Sequence, residues 1–91
     1  MAVTQWDLTR MASEEMDLAR RLTWNELSRV TPWTDAYVAI SPTGYEITME
    51  RHYVWTSEAR DAIRVEIRAR TMYGPSMEAL EEALVTPKGF E

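Results

Sequence analysis

The most regular stretch of the chain is residues 62–73, Ala-Ile-Arg-Val-Glu-Ile-Arg-Ala-Arg-Thr-Met-Tyr, in which Ile63, Val65, Ile67 and Ala69 alternate with Arg64, Glu66, Arg68 and Arg70. Apolar and charged residues at a period of two describe a strand with one face buried, here a central or near-central strand of an antiparallel sheet. Residues 45–55 form a second strand with Tyr45, Ile47, Met49, Tyr53 and Trp55 inward. Residues 35–40 form a shorter first strand with Val38 and Ile40 inward. Between these two lies Ser41-Pro-Thr-Gly44, with Pro at the second turn position and Gly where a positive φ is needed. Read as a four-residue loop, it pairs Ile40 with Tyr45 and Val38 with Ile47. In the second hairpin, the register that sets Glu50 opposite Arg68, His52 opposite Glu66 and Trp55 opposite Ile63 matches apolar with apolar and unlike charges with each other. Arg51 falls on the apolar face and is expected to snorkel past Tyr53 or Met49 to the edge. The link at 56–61 is expected to hold one helical turn capped by Ser57.

The flanking segments read as helices. Over residues 5–29, Leu8, Met11, Ala12, Leu18, Ala19 and Leu22 fall on one stripe. Thr4 is a suitable cap and Asp7 suits the first turn. Thr23-Trp-Asn-Glu26 has the spacing of a second capping box, so a bend near Thr23 is compatible with the pattern. Thr31-Pro32 ends the helix. After the breaker Gly74-Pro75-Ser76, the residues Met77, Leu80, Ala83 and Leu84 form an inward stripe with Glu78, Glu81 and Glu82 on the solvated side, a final helix closed by Pro87 and Gly89. Phe90 either folds back or stays free. The expected fold is α+β: a long N-terminal helix, a three-stranded antiparallel meander and a C-terminal helix, with the helices on one face of the sheet, in a single α-β-β-β-α domain spanning residues 1–91. That order resembles the layout of double-stranded-RNA-binding domains and of a family of small dimeric nucleoid proteins. The likeness is one of layout and includes no sequence motif. Where the RNA-binding family carries lysines at the start of its second helix, this chain reads Ser76-Met-Glu-Ala.

Composition narrows the class. The 91 residues are 45% hydrophobic and 27% charged, ordinary for a soluble globular protein of one domain. No apolar run approaches the ~20 residues of a membrane helix. Met-Ala-Val-Thr-Gln-Trp lacks the basic and apolar blocks of a secretory signal, and there is no Cys, so a cytoplasmic location is expected. The net charge is −5 and uneven: residues 36–73 hold five acids and five arginines, residues 74–91 four acids and one lysine.

Catalytic chemistry finds little to work with. The only His, His52, lies on the outer face beside Glu50 and Glu66, which reads as a salt link rather than a triad base. One His and no Cys cannot build the usual zinc sites, and the acids follow no calcium-loop pattern. Gly44, Gly74 and Gly89 are too scattered to cradle a phosphate. No cofactor, metal or membrane contact is expected, and no enzymatic activity. What remains is contact with a protein partner or with a second copy. Trp6 and Trp24 lie 18 residues apart, five whole helical turns, and so share a direction opposite the Leu stripe. Either the chain around Trp33 covers them or a partner does. Arg64, Arg68 and Arg70 with Tyr37 and His52 on the outer sheet surface could bind a nucleic-acid strand, although Glu46, Glu50 and Glu66 share that surface. Glu78, Glu81 and Glu82 could mimic nucleic-acid charge toward a basic partner. The expected function is therefore a small acidic non-enzymatic protein-binding module: an inhibitor, adaptor or regulatory subunit, of the compact kind that phages and other mobile elements encode. The alternative is a nucleic-acid-binding protein that uses the outer face of the sheet, as a dimer.

Overall fold

The computed structural model describes residues 3–91. The elements are α1 (Gln5–Ala19), α2 (Trp24–Ser28), β1 (Trp33–Ile40), β2 (Glu46–Trp55), β3 (Ile63–Thr71), β4 (Glu78–Thr86) and the two-residue β5 (Gly89–Phe90). The strands form one antiparallel sheet in the order β1-β2-β3-β4-β5. Helix α1 packs across β3 and β4 on one face, and α2 touches β3.

Two capping boxes divide the N-terminal helical region. The Thr4 hydroxyl accepts from the Asp7 amide at 3.2 Å while the Asp7 carboxylate takes the Thr4 amide at 3.1 Å, and the Thr23–Glu26 pair repeats this at 3.1 Å each way. A second N-cap requires extended backbone at Thr23, so the expected continuous helix over 5–29 becomes a 15-residue and a 5-residue helix. Within α1 the buried stripe differs from the expected one by including Met16 and omitting Leu18. Leu8, Met11, Ala12, Met16 and Ala19 are buried, whereas Leu18 is exposed.

The β2–β3 register is the expected one, with Glu50 opposite Arg68, His52 opposite Glu66 and Trp55 opposite Ile63. The first hairpin is shifted by one residue, with Ile40 opposite Glu46 and Val38 opposite Thr48. The turn explains the shift. The Ser41 amide donates to the Tyr45 carbonyl at 2.7 Å, and the Ser41 hydroxyl accepts from the Tyr45 amide at 3.0 Å. Ser41 and Tyr45 thus pair across a three-residue loop with Gly44 at φ +91°. A one-residue slip reverses the faces of a strand. Trp33, Asp35, Tyr37 and Ala39 therefore point toward the helix layer, while Val38 and Ile40, expected inward, are 53% and 63% exposed.

The larger correction is at the C-terminus. Residues 78–86 are not a helix but strand β4, with Arg70 opposite Glu78, Arg68 opposite Leu80 and Ile63 opposite Val85. Met-Glu-Ala-Leu-Glu-Glu-Ala-Leu has high helix propensity, but propensity contributes only ~0.5 kcal/mol per residue and tertiary context overrides it. Without β4, the nine residues of β3 would present an unpaired edge beside α1. With it, Ala83 and Val85 extend the buried face next to Val65 and Ile63. The turn before β4 is held by Thr71, whose hydroxyl donates to the Pro75 carbonyl at 3.1 Å and accepts from the Met77 amide at 3.1 Å. Phe90 folds back opposite Val85 against the core, under the Arg20 guanidinium. The fold is thus α+β with a five-stranded antiparallel meander and helices on one face only, and the layout likeness to RNA-binding and nucleoid proteins falls with the final helix.

Candidate surfaces on the sheet

The sheet has two faces of different chemistry. Toward the helices, Ile47, Met49, Ile63, Val65, Ile67, Ala69 and Val85 are buried against Leu8, Met16 and Leu27. Arg51 is in this layer, at a position between Asp35 and Ile67 in the register. It does not snorkel. One guanidinium nitrogen donates to Glu15 on α1 at 2.9 Å and another to Asp35 on β1, and the group stacks 5.0 Å from the Trp33 ring and 4.9 Å from that of Tyr37. Burial alone would lower the Arg51 pKa, but the hydrogen bond to Asp35 and the charges of Glu15 and Asp35 outweigh it, and the net displacement is upward. Burial, then the adjoining Glu15 carboxylate, push Tyr37 up to about 12. Arg51 is therefore a charged clamp from helix to sheet. Beside it a groove of 370 Å³ opens between α1 and β1, lined by Met11, Leu18, Tyr37, Ala39 and Met49 among others.

No helix covers the outer face. Its central rows hold an ion network around Glu50, which accepts from Arg70 and lies 4.0 Å from Arg68 Nη1 and 3.7 Å from His52 Nε2. Arg68 Nε is 3.7 Å from Glu78 on β4, and Arg64 Nε is 3.2 Å from Glu66. The other nitrogen of His52, Nδ1, shares a 2.8 Å hydrogen bond with the Thr34 hydroxyl. Apolar side chains flank the network: Val38 and Ile40 on β1, and Leu80, 48% exposed, with half-buried Leu84 on β4.

Of the residues singled out from the sequence, Glu50, His52, Arg64, Arg68, Arg70, Glu78 and Glu82 come together on this surface. The β-structure of residues 78–86 splits the three acids, sending Glu81 to the helix side, opposite Ile67, and leaving no continuous acidic helix face. Tyr37 also faces inward and is absent from the outer surface. Trp6 is 61% exposed under the Arg10 guanidinium at 5.2 Å. Trp24 is half-buried and meets Trp55 edge-on at 6.2 Å, while Trp33 packs on Tyr53 at 4.8 Å. The break at Thr23 separates the two tryptophans expected to share a direction. Sequence reasoning missed Leu80 and Leu84, whose outward placement follows only from β4 being a strand, and Val38 and Ile40, whose placement follows from Ser41 pairing with Tyr45. Among the described residues no group of three or more His, Asp or Glu side chains could hold a metal ion, and no helix is long and apolar enough to cross a membrane. Comparisons with protein-family models, with curated proteins and with solved structures find no match.

Proposed function

We propose that this chain is a small acidic, non-enzymatic protein-binding module that acts as an inhibitor, adaptor or regulatory subunit, and that it engages a protein partner through the outer face of its sheet. The observation that carries this reading is the uncovered face itself, with Leu80 and Leu84 beside an ion network already matched within the chain. The three guanidiniums of this face are each paired within the chain and so require no anionic ligand, and exposed aliphatic groups beside them gain from coverage by another apolar surface. Five carboxylates (Glu46, Glu50, Glu66, Glu78 and Glu82) outnumber three guanidiniums (Arg64, Arg68 and Arg70) on this face. The complementary partner surface is apolar at its centre and basic at its rim.

The same pairing weakens the nucleic-acid alternative, because each of the three arginines is engaged by a carboxylate that a phosphate would have to displace. The reading is tested by capture from the native host with the wild-type chain and with Leu80→Lys. A specific protein retained by the first and lost by the second is expected, with Trp6→Ser as a control that keeps binding. Micromolar binding to DNA or RNA at physiological salt, abolished by changing Arg64, Arg68 and Arg70 to Glu, would replace this reading with the alternative.

A further inference from the structure

We propose that β1 is a docking edge for an extended segment of a protein partner, one that turns a basic side chain toward the helix layer and aliphatic side chains toward the outer face. Strand β1 is last in the strand order and, among the described residues, bonds only to β2. The Ser41 amide donates to the Tyr45 carbonyl across the hairpin, so by alternation the amides of Thr34, Ala36, Val38 and Ile40 point away from β2. Their geometric complement is the backbone of another extended chain. Natural edges prevent such pairing with lysines, prolines, bulges or inward charges. Trp33-Thr-Asp-Ala-Tyr-Val-Ala-Ile40 has no Lys, Arg, Pro or Gly. Its one charge, Asp35, faces the helix layer, where it selects the occupant instead of closing the edge to every strand.

The two sides of β1 call for different side chains. On the helix side, Glu15 and Asp35 share the single guanidinium of Arg51, and Arg10 is matched by Glu14 at 2.8 Å, so the cluster keeps one carboxylate charge in excess. It opens on the groove between α1 and β1, and a second cleft that shares Glu15 and Leu18 continues this groove past Arg51 to Tyr53. A strand paired with β1 lies ~4.8 Å away, so one Arg or Lys at an inward position beside Asp35 reaches the carboxylates and brings the cluster to neutrality. On the other side Thr34, Ala36, Val38 and Ile40 form an uncharged row, in which Val38 and Ile40 are more than half exposed and gain from an aliphatic neighbour. Basic inward and aliphatic outward together fix which edge of the segment pairs. A second copy of this chain fits less well, because it brings the same excess of carboxylate charge to the seam on a chain of net charge −5. The β1 edge is a different part of the sheet from Leu80 and Leu84, so this docking goes beyond the outer-face contact proposed above.

The test is a titration of the isotope-labelled full chain with a short capped peptide that alternates Val with Thr and carries one central Arg, and with its central-Glu counterpart. The Arg peptide is expected to bind with a Kd of ~100 μM and to shift the amides of residues 33–40, and the Glu peptide to bind at least ~10-fold more weakly. Asp35→Asn removes the excess charge and should bring the two peptides within ~2-fold of each other. Val38→Pro removes an outward donor from an edge strand and leaves the ladder to β2, so it should keep the circular dichroism melt and abolish binding. Should either variant fail to fold, the Arg peptide with N-methylated backbone amides is given to the wild type: lost binding supports strand pairing and unchanged binding overturns it. Leu80→Lys, which tests the outer face, should leave the titration as it is, and binding lost in a folded Leu80→Lys chain places the peptide on the outer face and overturns the edge. No shift over residues 33–40 up to ~1 mM peptide, equal binding of the Arg and Glu peptides by the wild type, or a preference that survives Asp35→Asn also overturns it. So does a wild-type mass that rises with concentration from 10.6 kDa toward twice that value and stays at 10.6 kDa in Val38→Pro, which gives the edge to a second copy.

Discussion

Replacing Arg51 with Met keeps a long side chain against Trp33 and Tyr37 but removes the cation that joins Glu15 on α1 to Asp35 on β1. Removing one member of a fully buried ion pair costs about 3–5 kcal/mol, because the other charge is left desolvated and unpaired. Here the side chains of Arg51, Glu15 and Asp35 keep 28%, 12% and 32% of their exposure, so water screens part of that effect. About 2 kcal/mol is the expected loss after that discount. For a chain of this size the melting temperature should fall by ~8–16 °C. Arg64→Met is the control. Its partner pair with Glu66 is at the surface, with Arg64 51% exposed, and the change should cost less than ~0.5 kcal/mol. Chemical denaturation of Arg51→Met, of Glu15→Gln and of the double variant gives the coupling energy, expected at ~1 kcal/mol. An Arg51→Met chain as stable as Arg64→Met would refute the clamp and mean that Arg51 extends freely into water.

Val65 is fully buried between Tyr53 and Ala83, with no cation in its row, so Val65→Glu should abolish cooperative unfolding or lower stability by more than ~3 kcal/mol, whereas Arg64→Glu should stay folded; denaturant titration separates them. Trp24→Ser should cost ~2 kcal/mol because Trp24 packs against Trp55, while Trp6→Ser on an exposed helix surface should change the melt by less than ~0.5 kcal/mol. The pH profile has a fixed sign: Tyr37 titrates near 12 when folded and near 10 when unfolded, so the neutral phenol's stabilisation is complete below pH 10 and disappears as pH rises toward 12. After discounting for a phenol that is only partly buried, the loss is ~1 kcal/mol, and Tyr37→Phe should flatten the urea midpoint over that window.

What the sequence made legible follows from how many independent signals each element carried. Residues 63–71 and 46–55 had alternation and charge matching on both strands, and their register is the one observed. Thr4 with Asp7 and Thr23 with Glu26 were readable as capping boxes because the hydrogen-bond partners are three residues apart in the chain. The first hairpin had a clear turn but two loop lengths, and the choice depended on whether Ser41 pairs with Tyr45, a contact between side chain and backbone that no periodicity records. Over residues 77–85, Met77, Leu80, Ala83 and Leu84 satisfy a helical stripe while Ala79, Ala83 and Val85 satisfy alternation. High helix propensity decided the reading, whereas the unpaired edge of β3 decided the structure. The charged residues that β2 and β3 place on the outer face were therefore legible, and the aliphatic residues that flank them on β1 and β4 were not.

The open five-stranded face depends on residues 78–86 being a strand beside β3. Backbone nuclear Overhauser contacts in the wild-type chain test this directly. Cross-strand contacts are expected between Arg68 and Leu80, Glu66 and Glu82, and Arg64 and Leu84, with extended-backbone shifts through Thr86. Sequential helical contacts spaced three residues apart over residues 77–85, with none to β3, would contradict the account.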